Sequence, residues 1–184
     1  EVPGEIAYAG KGVSYCAICD GAFYRGHTIM VVGGGDAALE EADFLTRYAE
    51  KVYLVHRRDT FRASKLVQQR AFANPKIQVI TDTVVDEIVG QDGLMTHARI
   101  RNTRSGATSD LVATGIFIFV GFKPNTGIIK DHIEHDASGY IVTDANMMTS
   151  VPGLFAAGDV RAQLARQVTT AVGDATTAAI AVEK

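Results

Sequence analysis

Only two cysteines, Cys16 and Cys19, occur in the 184 residues, so there is no disulfide framework and no second thiol pair for a four-thiolate zinc site. The longest mostly apolar runs, such as residues 115–121, fall far short of the roughly 20 residues that a membrane span needs. No basic-apolar-small pattern of a signal peptide stands at the N-terminus. An excess of basic charge is also missing: 18 lysines and arginines against 21 acidic residues give a formal net charge of -3, which disfavours nucleic acid as a partner. The expectation is a soluble, cytoplasmic protein with neither a nucleic-acid nor a membrane partner. With 47% apolar residues the chain can bury a core, and its length allows one domain, or one and part of another.

What is present has a clear order. Residues 28–32 form a short β-rich apolar run that opens into Gly33-Gly34-Gly35, and residues 36–48 follow with a helical stripe of Ala38, Ala42 and Leu45. Residues 51–55 read as the next strand, 62–73 as a second helix ended by Asn74-Pro75, and 77–80 as a third strand. This βαβαβ order predicts parallel neighbours joined by right-handed crossovers. Residues 84–89, 95–102 and 110–113, separated by the turn signals Gln91-Asp92-Gly93 and Ser105-Gly106, predict an antiparallel meander. Residues 115–120 read as a strand buried on both faces, and the composition changes at 121–126. Beyond that, 140–143 and 154–157 are short strand candidates. Leu164, Val168, Ala171, Val172, Ala175, Ala178, Ala179 and Val182 mark one apolar face of a long C-terminal helix, a face that needs a sheet to cover.

Gly33-x-Gly35-x-x-Ala38 stands between a strand and a helix, the context of a dinucleotide fingerprint. The first glycine permits the tight turn, the second lets a pyrophosphate approach the backbone, and the small third residue allows close helix-strand packing. An NAD site usually has an acid at the end of the next strand. Here that end reads His56-Arg57-Arg58, with Arg62 close behind, a cluster suited to the 2′-phosphate of NADP. The alternative is a solvated basic surface with Asp59 or Thr60 capping a helix. Cys16-Ala17-Ile18-Cys19 has the spacing of a reversible redox pair. Half a zinc site completed by His27 or another chain, and a merely structural disulfide, stand beside that reading. Asp20 follows the pair at once and suits a general acid-base role, or an ordinary Asp-Gly turn.

Together, Cys-Ala-Ile-Cys-Asp-Gly at 16–21, Gly33-Gly34-Gly35-Asp36-Ala37-Ala38, His56-Arg57-Arg58 with Arg62-Ala63, and Gly153-Leu154-Phe155-Ala156-Ala157-Gly158-Asp159-Val160 resemble the low-molecular-weight, bacterial-type thioredoxin reductases, flavoprotein disulfide reductases of the pyridine nucleotide-disulfide oxidoreductase family. The resemblance implies that electrons pass from NADPH to FAD, then to the Cys16-Cys19 disulfide, then to thioredoxin or a similar small dithiol protein. It implies that Cys19 lies against the flavin and that Asp20 is the proton donor. Gly33, Gly35, Asp36, Ala37 and Ala38, with His56, Arg57, Arg58 and Arg62, would bind NADPH. Gly158 and Asp159 would hold the FAD ribityl chain, and Arg166, Gln167 and Val168 would contact the flavin ring.

Members of that family begin with another glycine-rich fingerprint for the FAD adenylate, and nothing before Cys16 supplies it. The implied α/β architecture is a Rossmann-like NADPH-binding domain, βαβαβ plus a three-stranded antiparallel meander, at residues 1–116, followed by the C-terminal part of an FAD-binding domain at residues 117–184. A homodimer is implied for the full-length protein, and no turnover for the 184 residues taken alone. Two related readings share the Cys-x-x-Cys: the reductase of a peroxiredoxin partner, which typically uses NADH and lacks the arginine cluster, and a dithiol oxidase running the chemistry in reverse. An isolated nucleotide-binding module is the reading from a different class.

Overall fold

Five parallel strands and a separate three-stranded antiparallel sheet account for the first 120 residues of the computed structural model, which describes residues 1–183. In chain order these residues form β1 (Val13–Ser14), α1 (Ala17–Asp20), β2 (Thr28–Gly33), α2 (Asp36–Leu45), β3 (Lys51–Val55), α3 (Lys65–Ala73), β4 (Ile77–Ile80), β5 (Thr83–Gln91), β6 (Leu94–Asn102), β7 (Thr108–Val112) and β8 (Gly115–Phe119). The parallel sheet has the order β1-β8-β2-β3-β4, and the meander runs β5-β6-β7. The expected βαβαβ unit and meander are both present.

Alternation along the central strands explains why this sheet is covered on both sides. Ile29 and Val31 of β2 and Phe117 of β8 pack with Ala38, Leu39, Ala42 and Leu45 of α2 and with Val67 and Ala71 of α3. Met30 and Ile116 point the other way, onto Ile88, Met95 and Ala98 of the meander. The two helices are shorter than their sequence patterns. Expected to Tyr48, α2 stops at Leu45, where the Thr46 hydroxyl bonds to the Asp43 carbonyl at 2.6 Å and the Lys76 ammonium takes the Thr46 and Ala49 carbonyls at 2.7 and 3.0 Å. Expected from Arg62, α3 begins at Lys65, because the preceding amides are spent elsewhere: Arg62 and Ala63 donate to the Gly34 carbonyl and Ser64 to Asp36.

Residues 121–184 form a second compact unit, while the first runs Glu1–Val120 and includes all of β8. The second unit has a small core of Ile133, Ile141 and Ala156, with Ile129 and Val160 packed against it. The strand candidates 140–143 and 154–157 are not strands; they meet partners only through single bridges, such as His135 to Ile141 and Met148 to Phe155. The reason is local. The Asp136 carboxylate accepts the Ser138 and Tyr140 amides, and that of Asp144 accepts the Asn146 and Met148 amides, so the chain keeps turning where a ladder would need it extended. The last helix, α4 (Val168–Val182), starts after a reciprocal cap between Gln167 and Thr170, which leaves Leu164 outside it. No residue of α4 is buried, and Val168, Val172 and Ile180 are exposed. Among the described residues no helix is long and apolar enough to cross a membrane.

Candidate functional site

At β2 the strand order reverses, with β3 and β4 on one side and β8 and β1 on the other, which is where open α/β sheets bind their ligands. Three glycines finish the strand, and each has a different surrounding. A Cβ on Gly33 would stand 2.5 Å from the Ala38 Cβ and 2.6 Å from the Phe119 carbonyl oxygen, so this position must be bare for α2 and β8 to close on it. One on Gly34 would fall 2.2 to 2.6 Å from the His56 ring. Around Gly35, the N-cap of α2, nothing lies within 4 Å of that position, and no side chain caps the helix. The open amides at the start of a ten-residue helix suit a diphosphate. Of the next residues Ala38 is buried, Ala37 is exposed, and Asp36 is exposed with its carboxylate accepting the Ser64 amide at 2.8 Å. That bond holds the Asp36 carboxyl below its usual range.

A cleft of about 320 Å³ opens beside this turn, lined by Gly33, Gly34, His56, Arg57, Arg58 and Arg62 among others. The three arginines are exposed, and among the described residues none of them forms an ion pair. Arg70, Arg99, Arg101, Arg104 and Arg161, by contrast, each hold a carboxylate. Asp59, within the cluster by sequence, is taken by Arg104, and the Thr60 carbonyl accepts His56 Nε2 at 3.1 Å. Neither caps α3, which starts five residues after Thr60, so the capping role considered for them is not seen. His56 is itself buried, stacked on Phe61 at 4.7 Å between ring centres. Its burial, with Arg57, Arg58 and Arg62 adding to it, pushes the imidazole pKa down, so the ring is neutral at pH 7 and acts as packing under the cluster.

Cys16 and Cys19 are joined by a disulfide. The pair follows β1 directly: Cys16 is the N-cap of α1, and its sulfur accepts the Cys19 amide at 3.2 Å. Cys16 is half-buried and Cys19 exposed. Buried Ser14, the last residue of β1, ties the acid to this loop. Its hydroxyl lies 2.7 Å from Asp20 Oδ2 and 3.3 Å from the Cys16 carbonyl oxygen, and its Oγ accepts the Cys16 amide at 3.1 Å. Asp20 is therefore fastened to the disulfide-bearing turn, beyond what an ordinary Asp-Gly turn requires. No group of three or more potential metal ligands occurs among the described residues, and His27 bonds to Thr114 instead of completing a thiolate site.

In the second unit Gly158, Asp159 and Val160 make a 3-10 turn, with Gly158 in the left-handed region at φ 79°. The turn is clamped. The Gly158 amide donates to Asp174 Oδ2 at 3.1 Å, the Gly158 carbonyl accepts Gln163 at 3.0 Å, and Asp174 pairs with Arg161 at 2.7 Å, both side chains only 13% exposed. The Arg161 bond holds the Asp174 carboxyl below its usual range. Asp159 itself is exposed, with no hydrogen bond or ion pair among the described residues. The Arg166 guanidinium sits 3.9 Å over the Tyr140 ring, and its Nε is buried without a hydrogen-bond partner.

A model of the pyridine nucleotide-disulphide oxidoreductases matches residues 1–175. The chain belongs to the pyridine nucleotide-disulphide oxidoreductase family. A thioredoxin reductase of Listeria monocytogenes is 50% identical over 171 residues, covering 93% of this chain and 54% of the relative. One from Peptoclostridium litorale is 46% identical over 188 residues, covering 99% and 59%. The crystal structure of thioredoxin reductase from Streptococcus pyogenes aligns with a TM-score of 0.93 at 52% identity, over 99% of this chain and 60% of that one. The chain thus spans somewhat more than half the length of the relatives it matches.

The residues fit the cofactors of a pyridine nucleotide-disulphide oxidoreductase. Three unneutralised guanidiniums beside an uncapped helix start suit a phosphorylated dinucleotide, and a buried Arg166 Nε lacking an acceptor, with a free Asp159 carboxylate, suits a polar ring and a polyol. Sequence reasoning gave Gly34 no role of its own and missed Ser14, Ser64 and the Arg161-Asp174 pair. Only the last had a signal, a lone acid in an otherwise uncharged helix.

Proposed function

We propose that the intact protein is an NADPH-dependent flavoprotein disulfide reductase acting on thioredoxin or a similar small dithiol protein, as a cytoplasmic homodimer. The reading rests above all on the disulfide at Cys16 and Cys19 with Asp20 tethered beside it, in the same unit as three arginines that no carboxylate neutralises. When bound, NADPH and FAD supply the electron pair. Arg57, Arg58 and Arg62 hold the 2′-phosphate, and Gly35 with the first amides of α2 receives the diphosphate. Asp159, Arg166, Gln167 and Val168 hold the flavin.

Two electrons and two protons break the Cys16-Cys19 bond and leave two thiols. One thiolate then attacks the partner's disulfide to form a mixed disulfide, and the other displaces the partner as a dithiol, restoring the Cys16-Cys19 bond. Asp20 lends and recovers a proton during this cycle. The arginine cluster favours this reading over an NADH-dependent reductase of a peroxiredoxin partner. For the 184 residues taken alone we propose nucleotide binding without turnover, since they span little more than half of the relatives. The test is NADPH oxidation at 340 nm by the intact protein with oxidised thioredoxin, which Cys19→Ser should abolish; unimpaired turnover in that variant would refute the proposal.

A further inference from the structure

We infer that Asp36 is a positioning residue that sets the preference for a 2′-phosphorylated nucleotide by clipping the Arg62 loop to the glycine turn. This rests on the 2′-phosphate reading above and deepens it. Three consecutive backbone amides of the loop are spent on that turn. Arg62 and Ala63 both donate to the Gly34 carbonyl, at 2.8 and 3.2 Å, and Ser64 donates to Asp36 Oδ1 at 2.8 Å. Acceptors two residues apart in sequence therefore fix the segment that carries Arg62, and it is this fixing that keeps α3 from starting earlier.

Asp36 does not line the cleft, whereas Arg57, Arg58 and Arg62 do. A carboxylate in the first turn of α2 also opposes any anion brought to the helix start, so a direct hold on a phosphate is the wrong role for it. The bond to Ser64 gives it the right one. A guanidinium grips a phosphate through a fork whose geometry depends on where its backbone is held, and a nucleotide without the 2′-phosphate does not sense that geometry.

The experiment measures Kd for NADP⁺ and NAD⁺ by calorimetry on the intact protein, the oxidised forms being used so that no electrons move. Asp36→Ala removes both the charge and the acceptor, while Asp36→Asn removes the charge and keeps an acceptor oxygen. Ser64→Pro removes the donor from the other side, at a residue whose φ of -58° is the value proline imposes. Asp36→Ala and Ser64→Pro should each shrink the preference for NADP⁺ at least threefold without weakening NAD⁺, Asp36→Asn should keep the preference, and the double variant should be no worse than either single. Equal weakening of both nucleotides in Asp36→Ala, or an unchanged preference in both Asp36→Ala and Ser64→Pro, overturns the inference. If Asp36→Ala fails to fold, Ser64→Pro against Asp36→Asn decides on the same terms. The unaltered protein is the control for the underlying reading: no preference for NADP⁺ there refutes the 2′-phosphate assignment and the inference with it.

Discussion

The His56 imidazole occupies the space that a side chain at residue 34 would need, with Cε1 2.2 Å from the position of a Gly34 Cβ. The ring is held there from three sides: by Gly34, by the stack on Phe61 and by the bond to the Thr60 carbonyl. The glycine turn and the arginine loop are thus packed as one object, and a change at the first is felt at the second.

Gly34→Ala should therefore destabilise the protein by about 1–3 kcal/mol, the usual cost of overpacking, and should weaken nucleotide binding by displacing His56. Gly35→Ala, which meets open space, should leave the melting temperature almost unchanged while weakening NADP⁺ and NAD⁺ equally. Thermal unfolding and calorimetry on the two variants separate these effects, and the same Tm loss in both would contradict the packing of His56 against Gly34.

Losing Arg57 and Arg58 together should weaken NADPH at least tenfold and leave NADH nearly unchanged, because charge-assisted bonds to a phosphate are lost only for the nucleotide that carries it. Titration of both nucleotides against Arg57→Ala/Arg58→Ala checks this, and equal losses would sink the assignment.

Stability should fall as the pH drops below neutrality, through His56. Burial lowers its folded pKa below the ordinary 6.5, so the unfolded chain takes up the proton first. The contribution of neutral His56 is complete above about pH 6.5 and is lost as the pH falls through the lowered folded value. Asp36 and Asp174, also lowered, begin to lose their contributions only as the pH falls below their ordinary 3.8. Melting curves from pH 7.5 to 5 should slope downward and should flatten in His56→Gln.

Thiol titration should find no free thiol before reduction and two after it. In the intact protein Cys19→Ser should still allow NADPH to bleach the flavin band while thioredoxin reduction disappears. Survival of disulfide reduction in both single cysteine variants would remove the redox pair from the pathway.

Breaking the clamp in the second unit should lower its stability and its hold on flavin together. Asp174→Ala strands the Arg161 guanidinium and leaves the Gly158 amide without its acceptor. A Tm several degrees lower, with less flavin retained on gel filtration, is the expected result; full retention would show that the Asp159 turn does not depend on Asp174.

Much of the first unit was legible because its signals are local. The β-rich apolar run at 28–32, the Ala38-Ala42-Leu45 stripe and the turns at Asp92-Gly93 and Ser105-Gly106 each act over a few residues, and the elements they specify are present. The start of α3 was not legible, because it is set by Gly34 and Asp36, some 28 residues away. A related reason applies to the strand candidate 140–143 of the second unit: its β-prone residues were visible, but Asp136 and Asp144 capture the amides on either side of it. In the candidate site, residue types point to a chemistry, whereas Ser14 and Ser64, which hold the disulfide turn and the arginine loop in place, carry no signature of their own, and Gly34 reads only as one glycine of a run.

Ser14 has a single hydroxyl proton and two acceptors within reach, Asp20 Oδ2 and the Cys16 carbonyl, so only one of them is served at a time. An ionised Asp20 claims that proton. A protonated Asp20 becomes the donor instead, and the Ser14 hydroxyl then swings to the carbonyl of the residue that carries one of the two sulfurs. In the cycle proposed for Asp20, a proton on the acid therefore adds a hydrogen bond to the backbone of the disulfide loop and its departure takes the bond away, a toggle that isotope-edited infrared spectroscopy of the Cys16 carbonyl would follow and that Ser14→Ala would silence.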